Sequence, residues 1–219
     1  MFCGSLAWAG PTYTGTLASD FDTGNSVGAD GLILGNNGWV SSDEPLLLRW
    51  NVSWDGSVWH YQYTFNELEL TGGLSHFILE VSDCLMPSDI IDPSHPLESG
   101  DPQLYSPGDP SNPSLPDDIW GIKLDTGGGG MTVVSFDSSR DPVWGDFYAK
   151  DGTKGGAAWN AGFTDPDVDP MAAAASGSID SHILVPDSTT TVVPAPGAVM
   201  LGAAGMALVG WLRRRKALS

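Results

Sequence analysis

Residues 46–66 hold two runs in which every second side chain is apolar, and that period of two constrains the fold more than any other feature. Leu46, Leu48, Trp50, Val52 and Trp54 alternate with Leu47, Arg49, Asn51 and Ser53. A helix would scatter such a set around its circumference, whereas a strand places it on one face. Asp55-Gly56-Ser57 supplies a turn, after which Trp59, Tyr61, Tyr63 and Phe65 alternate with His60, Gln62 and Thr64. The two runs predict a β-hairpin with one apolar face. Residues 75–82 repeat the pattern with Phe77, Leu79 and Val81, so the expected arrangement is an antiparallel meander.

The rest of the chain ahead of residue 186 follows the same logic. Short apolar islands at 14–17 and 32–34 predict edge strands among loops. Residues 86–118 contain eight prolines and no periodicity, and they predict a long surface loop. Strand signals return at 119–124, at 131–136 after four glycines, and at 143–150, where Asp151-Gly152 and Gly155-Gly156 close a hairpin. Residues 157–163 are a further short strand or turn, and 182–185 read as the final strand. No stretch keeps a helical period for more than two turns. The expected fold is therefore all-β, a two-layer antiparallel β-sandwich with jelly-roll winding as one form of it and a closed barrel as the alternative.

Charge narrows the partners. The chain has 27 acidic and 9 basic residues, and four of the nine basic residues lie in the last four-residue cluster, Arg213, Arg214, Arg215 and Lys216. The remainder carries 27 acidic against 5 basic residues, a formal charge of −22. Such a body repels nucleic acid and anionic lipid. Only Cys3 and Cys84 are present. Ala7-Trp8-Ala9 has the small-x-small form of a signal-peptidase site, and residues 1–9 read as the end of a signal peptide that starts further upstream. Cleavage there would leave Cys84 alone, with no intramolecular disulfide.

The tail is organised differently. Residues 186–193 are a polar linker centred on Ser188-Thr189-Thr190-Thr191, followed by Val193-Pro194-Ala195-Pro196. Residues 197–212 are then uncharged, and as a helix they would cover about 24 Å at 1.5 Å per residue. That is short of the roughly 30 Å hydrocarbon core, so the run is a marginal single span completed by bilayer thinning or by side chains reaching the interface. Arg213, Arg214, Arg215 and Lys216 act as a membrane stop and keep the C-terminus cytoplasmic. The two prolines hold the preceding segment extended and open to a processing enzyme.

This ordered set, Pro194-x-Pro196, a short Gly/Ala/Leu span and a terminal Arg cluster, resembles the PEP-CTERM sorting signal of exosortase substrates. Ala195 stands where the name-giving pattern has Glu. The resemblance covers residues 194–219. It implies export, cleavage at the tail by an exosortase-type membrane enzyme, and delivery to the cell surface or extracellular matrix. An uncut C-terminal anchor is the simpler alternative. The β-rich body, with Trp144-Gly145-Asp146-Phe147-Tyr148 and Trp159-Asn160-Ala161-Gly162-Phe163, also looks like the bodies found among such proteins.

Signs of chemistry in the body are sparse. There is no nucleophile elbow, zinc-protease helix, phosphate loop or Cys-x-x-Cys pair. His60 and His76 fall on neighbouring strands of the expected meander, which admits a metal pair or an acid/base role alongside the plainer reading as solvent-face residues. Asp165, Asp167 and Asp169 alternate as at the start of a calcium loop. Pro170 and Ser176 occupy the positions where an EF-hand has Gly and Glu, so only an irregular calcium site is left, with Asp20 and Asp22 as a weaker second. Trp144 and Tyr148 are expected on one face of one strand, as a stacking platform for an extracellular polysaccharide or as ordinary core. No other cofactor is implied. The sequence thus reads as a non-catalytic exported surface or matrix protein, with a carbohydrate-binding module or polysaccharide-active enzyme as the alternative.

Overall fold

A computed structural model of the chain describes residues 10–19, 33–35, 46–66, 73–127, 132–152, 156–164 and 172–186. The chain divides into two units, Met1–Thr189 and Thr190–Ser219, and every described residue belongs to the first. The remnant at 1–9, the linker beyond Pro186, the sorting motif, the expected terminal helix and the membrane-stop arginines lie outside the described residues. Among the described residues no helix is long and apolar enough to cross a membrane.

The described body is all-β with antiparallel pairing. Its strands are β1 (Thr12–Ala18), β2 (Ile33–Gly35), β3 (Leu47–Trp54), β4 (Trp59–Phe65), β5 (Leu74–Glu80), β6 (Ile90–Ile91) and β7 (Gln103–Tyr105). They continue with β8 (Ile119–Asp125), β9 (Thr132–Ser138), β10 (Pro142–Gly145), β11 (Phe147–Asp151), β12 (Ala157–Asn160) and β13 (Ile183–Pro186). One sheet has the order β1-β3-β4-β9-β6, the second β2-β12-β11-β5-β8-β7, and β10 pairs with β13 apart from both.

The hairpin that the alternation predicts is β3–β4, in register from Leu48 opposite Phe65 to Trp54 opposite Trp59. Its turn is held by the Asp55 carboxylate, whose Oδ1 accepts from the Ser57 N–H at 2.7 Å and the Val58 N–H at 3.0 Å. Gly56, with φ 109°, takes the left-handed position that a side chain would resist. The alternate residues Leu48, Trp50, Val52, Trp59, Tyr61, Tyr63 and Phe65 are all buried. Gly15, directly opposite Trp50, leaves room for the indole, because a Cβ there would lie 2.0 Å from the ring.

β5 does not extend this hairpin into a meander. It lies in the second sheet between β11 and β8. The two sheets meet face to face through aromatic rings, with Tyr63 and Phe77 centroids 5.4 Å apart, Phe65 and Phe77 edge-on at 5.2 Å, and Phe65 and Phe147 at 6.4 Å. Edge-on and tilted rings bring the positive rim of one to the negative face of the next, a preference that adds to simple burial. The Tyr63 hydroxyl crosses the core to donate to the Leu184 carbonyl at 2.7 Å and so ties β13 to the first sheet.

Two further expectations are corrected. The single strand over 143–150 is two strands, β10 and β11, broken at Asp146. Glu80 takes both backbone groups of that residue, with Glu80 N–H donating to the Asp146 carbonyl at 2.9 Å and the Asp146 N–H donating to Glu80 Oε2 at 2.8 Å. The proline-rich stretch is not a plain surface loop either. It contributes β6 and β7, a 3₁₀ turn at Pro87–Asp89, and the buried residues Tyr105, Asn112 and Leu115. β6 extends the first sheet beside β9, while Tyr105 and Leu115 cover the outer face of the second sheet and make a second apolar cluster with Ile78, Ile119, Tyr148, Ala157 and Phe163.

Phe77 links the aromatic layer across both sheets, so its truncation tests this architecture. Phe77→Ala is expected to lower the stability of the body by about 3–5 kcal/mol through lost burial and a residual cavity. A fall in the midpoint of urea unfolding with an unchanged slope is the readout.

Candidate functional site

The four histidines do not converge. His60 is on β4 in the first sheet and His76 on β5 in the second. The metal pair or acid/base role that a meander would admit therefore lacks the adjacency it needs, and the plainer solvent-face reading fits His60 but not His76, which is buried. His95 sits in the proline-rich stretch, its Nδ1 2.9 Å from Ser94 Oγ. His182 precedes β13 in the interior, its Nδ1 3.2 Å from the Ile179 carbonyl and its Nε2 3.3 Å from Asp146 Oδ1. Among the described residues no group of three His, Cys, Asp or Glu side chains is placed to hold a metal ion. Asp20, Asp22, Asp165, Asp167 and Asp169 lie outside the described residues.

Trp144 and Tyr148 are not a shared platform. They lie on β10 and β11, on either side of the Asp146 break, and pack into different clusters. Trp144 is 9% exposed and Tyr148 fully buried. The Tyr148 hydroxyl donates to the Pro113 carbonyl at 2.7 Å, beneath the proline-rich cover. Each ring face is spent on packing, so neither is open to a sugar.

The Asp146 junction is the densest polar cluster in the interior. Asn160 donates from Nδ2 to Asp146 Oδ1 at 2.5 Å and accepts the Phe147 N–H at 3.0 Å. With Glu80 it satisfies a strand break that burial would otherwise make costly. An interior ion pair joins Arg140 Nη2 to Asp89 Oδ2 at 2.7 Å. Burial alone would push the Asp89 carboxyl up, but the Arg140 guanidinium and the Met86 N–H hold it below the usual carboxylate range.

Two concavities lie on the outer faces of the sheets among the described residues. One, of about 290 Å³, opens on the outer side of the second sheet beside His76, Glu98, Lys123 and Lys150. The Lys123 stem is buried, with Nζ 2.6 Å from Glu98 Oε2 and 5.8 Å from the Tyr105 ring centre. His76 stacks on Tyr148 at 6.0 Å and is 5% exposed. Burial, reinforced by Lys123 and Lys150 and opposed by Asn112 and Asp109, pushes its pKa down to about 3. A neutral imidazole with so little affinity for a proton is a poor general base at neutral pH. The other concavity, of about 350 Å³, lies on the outer face of the first sheet around Arg49. The alternation that marked the inner face of the hairpin marks this outer one equally well, but sequence reasoning singled out only the apolar set.

His60 behaves in the opposite way to His76. Its Nδ1 is 2.6 Å from Asp137 Oδ1 and its Nε2 3.3 Å from Asp55 Oδ2, and the Asp137 hydrogen bond raises its pKa above the ordinary 6.5. The first sheet thus carries a surface ion pair at one end of its outer face. No protein-family model matches the chain, and no curated protein or solved structure matches it.

The two histidines give opposite pH signatures. A raised folded pKa makes the His60 contribution fully present below pH 6.5 and lost as pH rises through the folded value; a depressed one makes the His76 contribution present above 6.5 and lost as pH falls towards about 3. In a proton NMR titration between pH 5 and 8, the His76 ring signals are expected to stay fixed while those of His60 move, with a midpoint above 6.5. Replacing His76 by Asn should flatten the loss of stability on the acid side, measured by thermal unfolding at pH 7 and pH 5.

Proposed function

We propose that the chain is an exported, non-catalytic surface or extracellular-matrix protein, sorted and processed at the membrane through its PEP-CTERM-like tail. The observation that carries this reading is the order Pro194-Ala195-Pro196, an uncharged run over 197–212, and Arg213, Arg214, Arg215 and Lys216. In that order an extended, accessible segment precedes a marginal span, and the span precedes a stop that cannot be drawn through hydrocarbon without several kcal/mol per guanidinium. An exosortase-type enzyme is the partner, and the C-terminus is cytoplasmic until the cut.

The body suits such a cargo. It has a core of its own between two antiparallel sheets, and the described acid/base candidates are occupied by packing or by carboxylates. Its winding we take to be of the jelly-roll kind. β4 pairs with β9 and β5 with β8, while the chain passes from the first sheet to the second between β4 and β5 and returns between β8 and β9, the two-residue β6 touching the first sheet in between. Nested pairing of that sort is a ribbon folded over from one layer to the other.

Peptide mass spectrometry of surface-associated protein tests the sorting reading. Mature material is expected to end near Pro194-Ala195-Pro196 and to lack Trp211 and Leu212. Finding those two residues in the bulk of surface material would make the tail a permanent anchor and overturn the proposal. Replacing Arg213, Arg214 and Arg215 by Gln should release unprocessed chain into the medium, detected by immunoblotting.

A further inference from the structure

Arg49 stands out against the charge of the whole molecule. The chain has 27 acidic residues and 9 basic ones, yet among the described residues no carboxylate pairs with Arg49, whereas Lys123 and Arg140 each hold one. Arg49 points away from the core on the outer face of the first sheet, on β3 between β1 and β4. Thr16 and Thr64 flank it in one cross-strand row, and Thr14, Asn51 and Gln62 form the next. Strands about 4.8 Å apart and rows about 7 Å apart spread these six side chains over a patch the size of one or two sugar rings. They line the concavity of about 350 Å³.

We propose that this face binds a carboxylated sugar residue within an otherwise neutral polysaccharide, with Arg49 on the carboxylate. The planar guanidinium matches a carboxylate by two parallel N–H bonds. Asn51 and Gln62 each present a donor and an acceptor, and the three threonine hydroxyls do both at one atom. The ligand that satisfies such a set carries hydroxyls that themselves donate and accept. A phosphodiester only accepts and would leave the carboxamide oxygens unmet. A peptide strand would pair with a sheet edge rather than lie across its face. The net charge of −18 sets the density of the ligand, because it repels a polyanion while one guanidinium attracts a single carboxylate. Carboxylates spaced by neutral sugars are the class that fits.

This inference supplies the exported body with a ligand and draws on the sorting reading only for where that ligand is met; binding does not depend on whether the tail is cut. The test uses full-length protein in detergent micelles and titration calorimetry with four probes: a neutral oligosaccharide bearing one glucuronate, its carboxyl-reduced counterpart, a polyuronate and inorganic phosphate. The single-glucuronate probe is expected to bind at least tenfold more tightly than the reduced form, and the polyuronate to bind more weakly at low salt. Arg49→Gln should bring the first affinity down to the second, Arg49→Lys should fall between, and Gln62→Ala should weaken both saccharides alike. Unchanged thermal unfolding of the variants checks that the fold persists. Equal binding of the two saccharides, an Arg49→Gln variant that binds like the parent, phosphate competing as well as the saccharide, or no saccharide binding at all would each overturn it.

Discussion

Burial of β5 on both faces is the constraint on which the rest of the body depends. Phe77 and Leu79 face the layer between the sheets, and His76 and Ile78 face the layer outside the second sheet. A strand apolar on both sides cannot close a hairpin at the rim of a solvated sheet. It has to sit centrally, with a covering on each side, and that requirement moves it out of the β3–β4 sheet and gives the proline-rich stretch its place.

Covering a sheet with a chain that has few regular hydrogen bonds raises the question of where its backbone polar groups go. Proline answers part of it, having no N–H to satisfy. Paired contacts answer more. The Ser94 N–H donates to the Ser135 carbonyl at 2.8 Å, the Ser135 N–H to Ser94 Oγ at 2.8 Å, and the Glu98 N–H to the Lys123 carbonyl at 2.9 Å. Scarce cations complete the attachment. Lys123 on β8 reaches Glu98, and Arg140 between β9 and β10 reaches Asp89, so two of the few basic side chains of the body tie this segment to both sides of the fold. Breaking either would leave a buried charge facing the wrong surroundings, which is why such pairs locate a segment even where their net contribution to stability is small.

How much of this was legible depended on the range of the interactions. The β3–β4 hairpin could be read because its signal is local: the alternation, the Asp55-Gly56 turn and the inner face are all encoded within 21 consecutive residues. β8, β9 and β12 were placed for the same reason. The sheet that β5 joins was not legible, since Phe77 meets Tyr63, Phe65 and Phe147 only through packing between distant parts of the chain. The Asp146 break was hidden as well, because it depends on Glu80 and Asn160 arriving from two other strands. Trp144 and Tyr148 failed as a platform through that same break. The Arg49 groove lay within reach of sequence, as the polar half of an alternation whose apolar half was used.

The first sheet ends at β1, and the way that strand ends has a consequence for crowding. The Thr14 N–H donates to Ser176 Oγ at 3.1 Å, and the Gly177 N–H donates to the Thr14 carbonyl at 2.8 Å. Both backbone groups in the middle of a seven-residue edge are therefore spoken for. A strand from another molecule could keep register only for the rungs on one side of Thr14 before meeting an occupied one, too short a ladder to seed growth. Along the β1 edge, molecules of this kind can stand shoulder to shoulder at high density without one sheet templating the next.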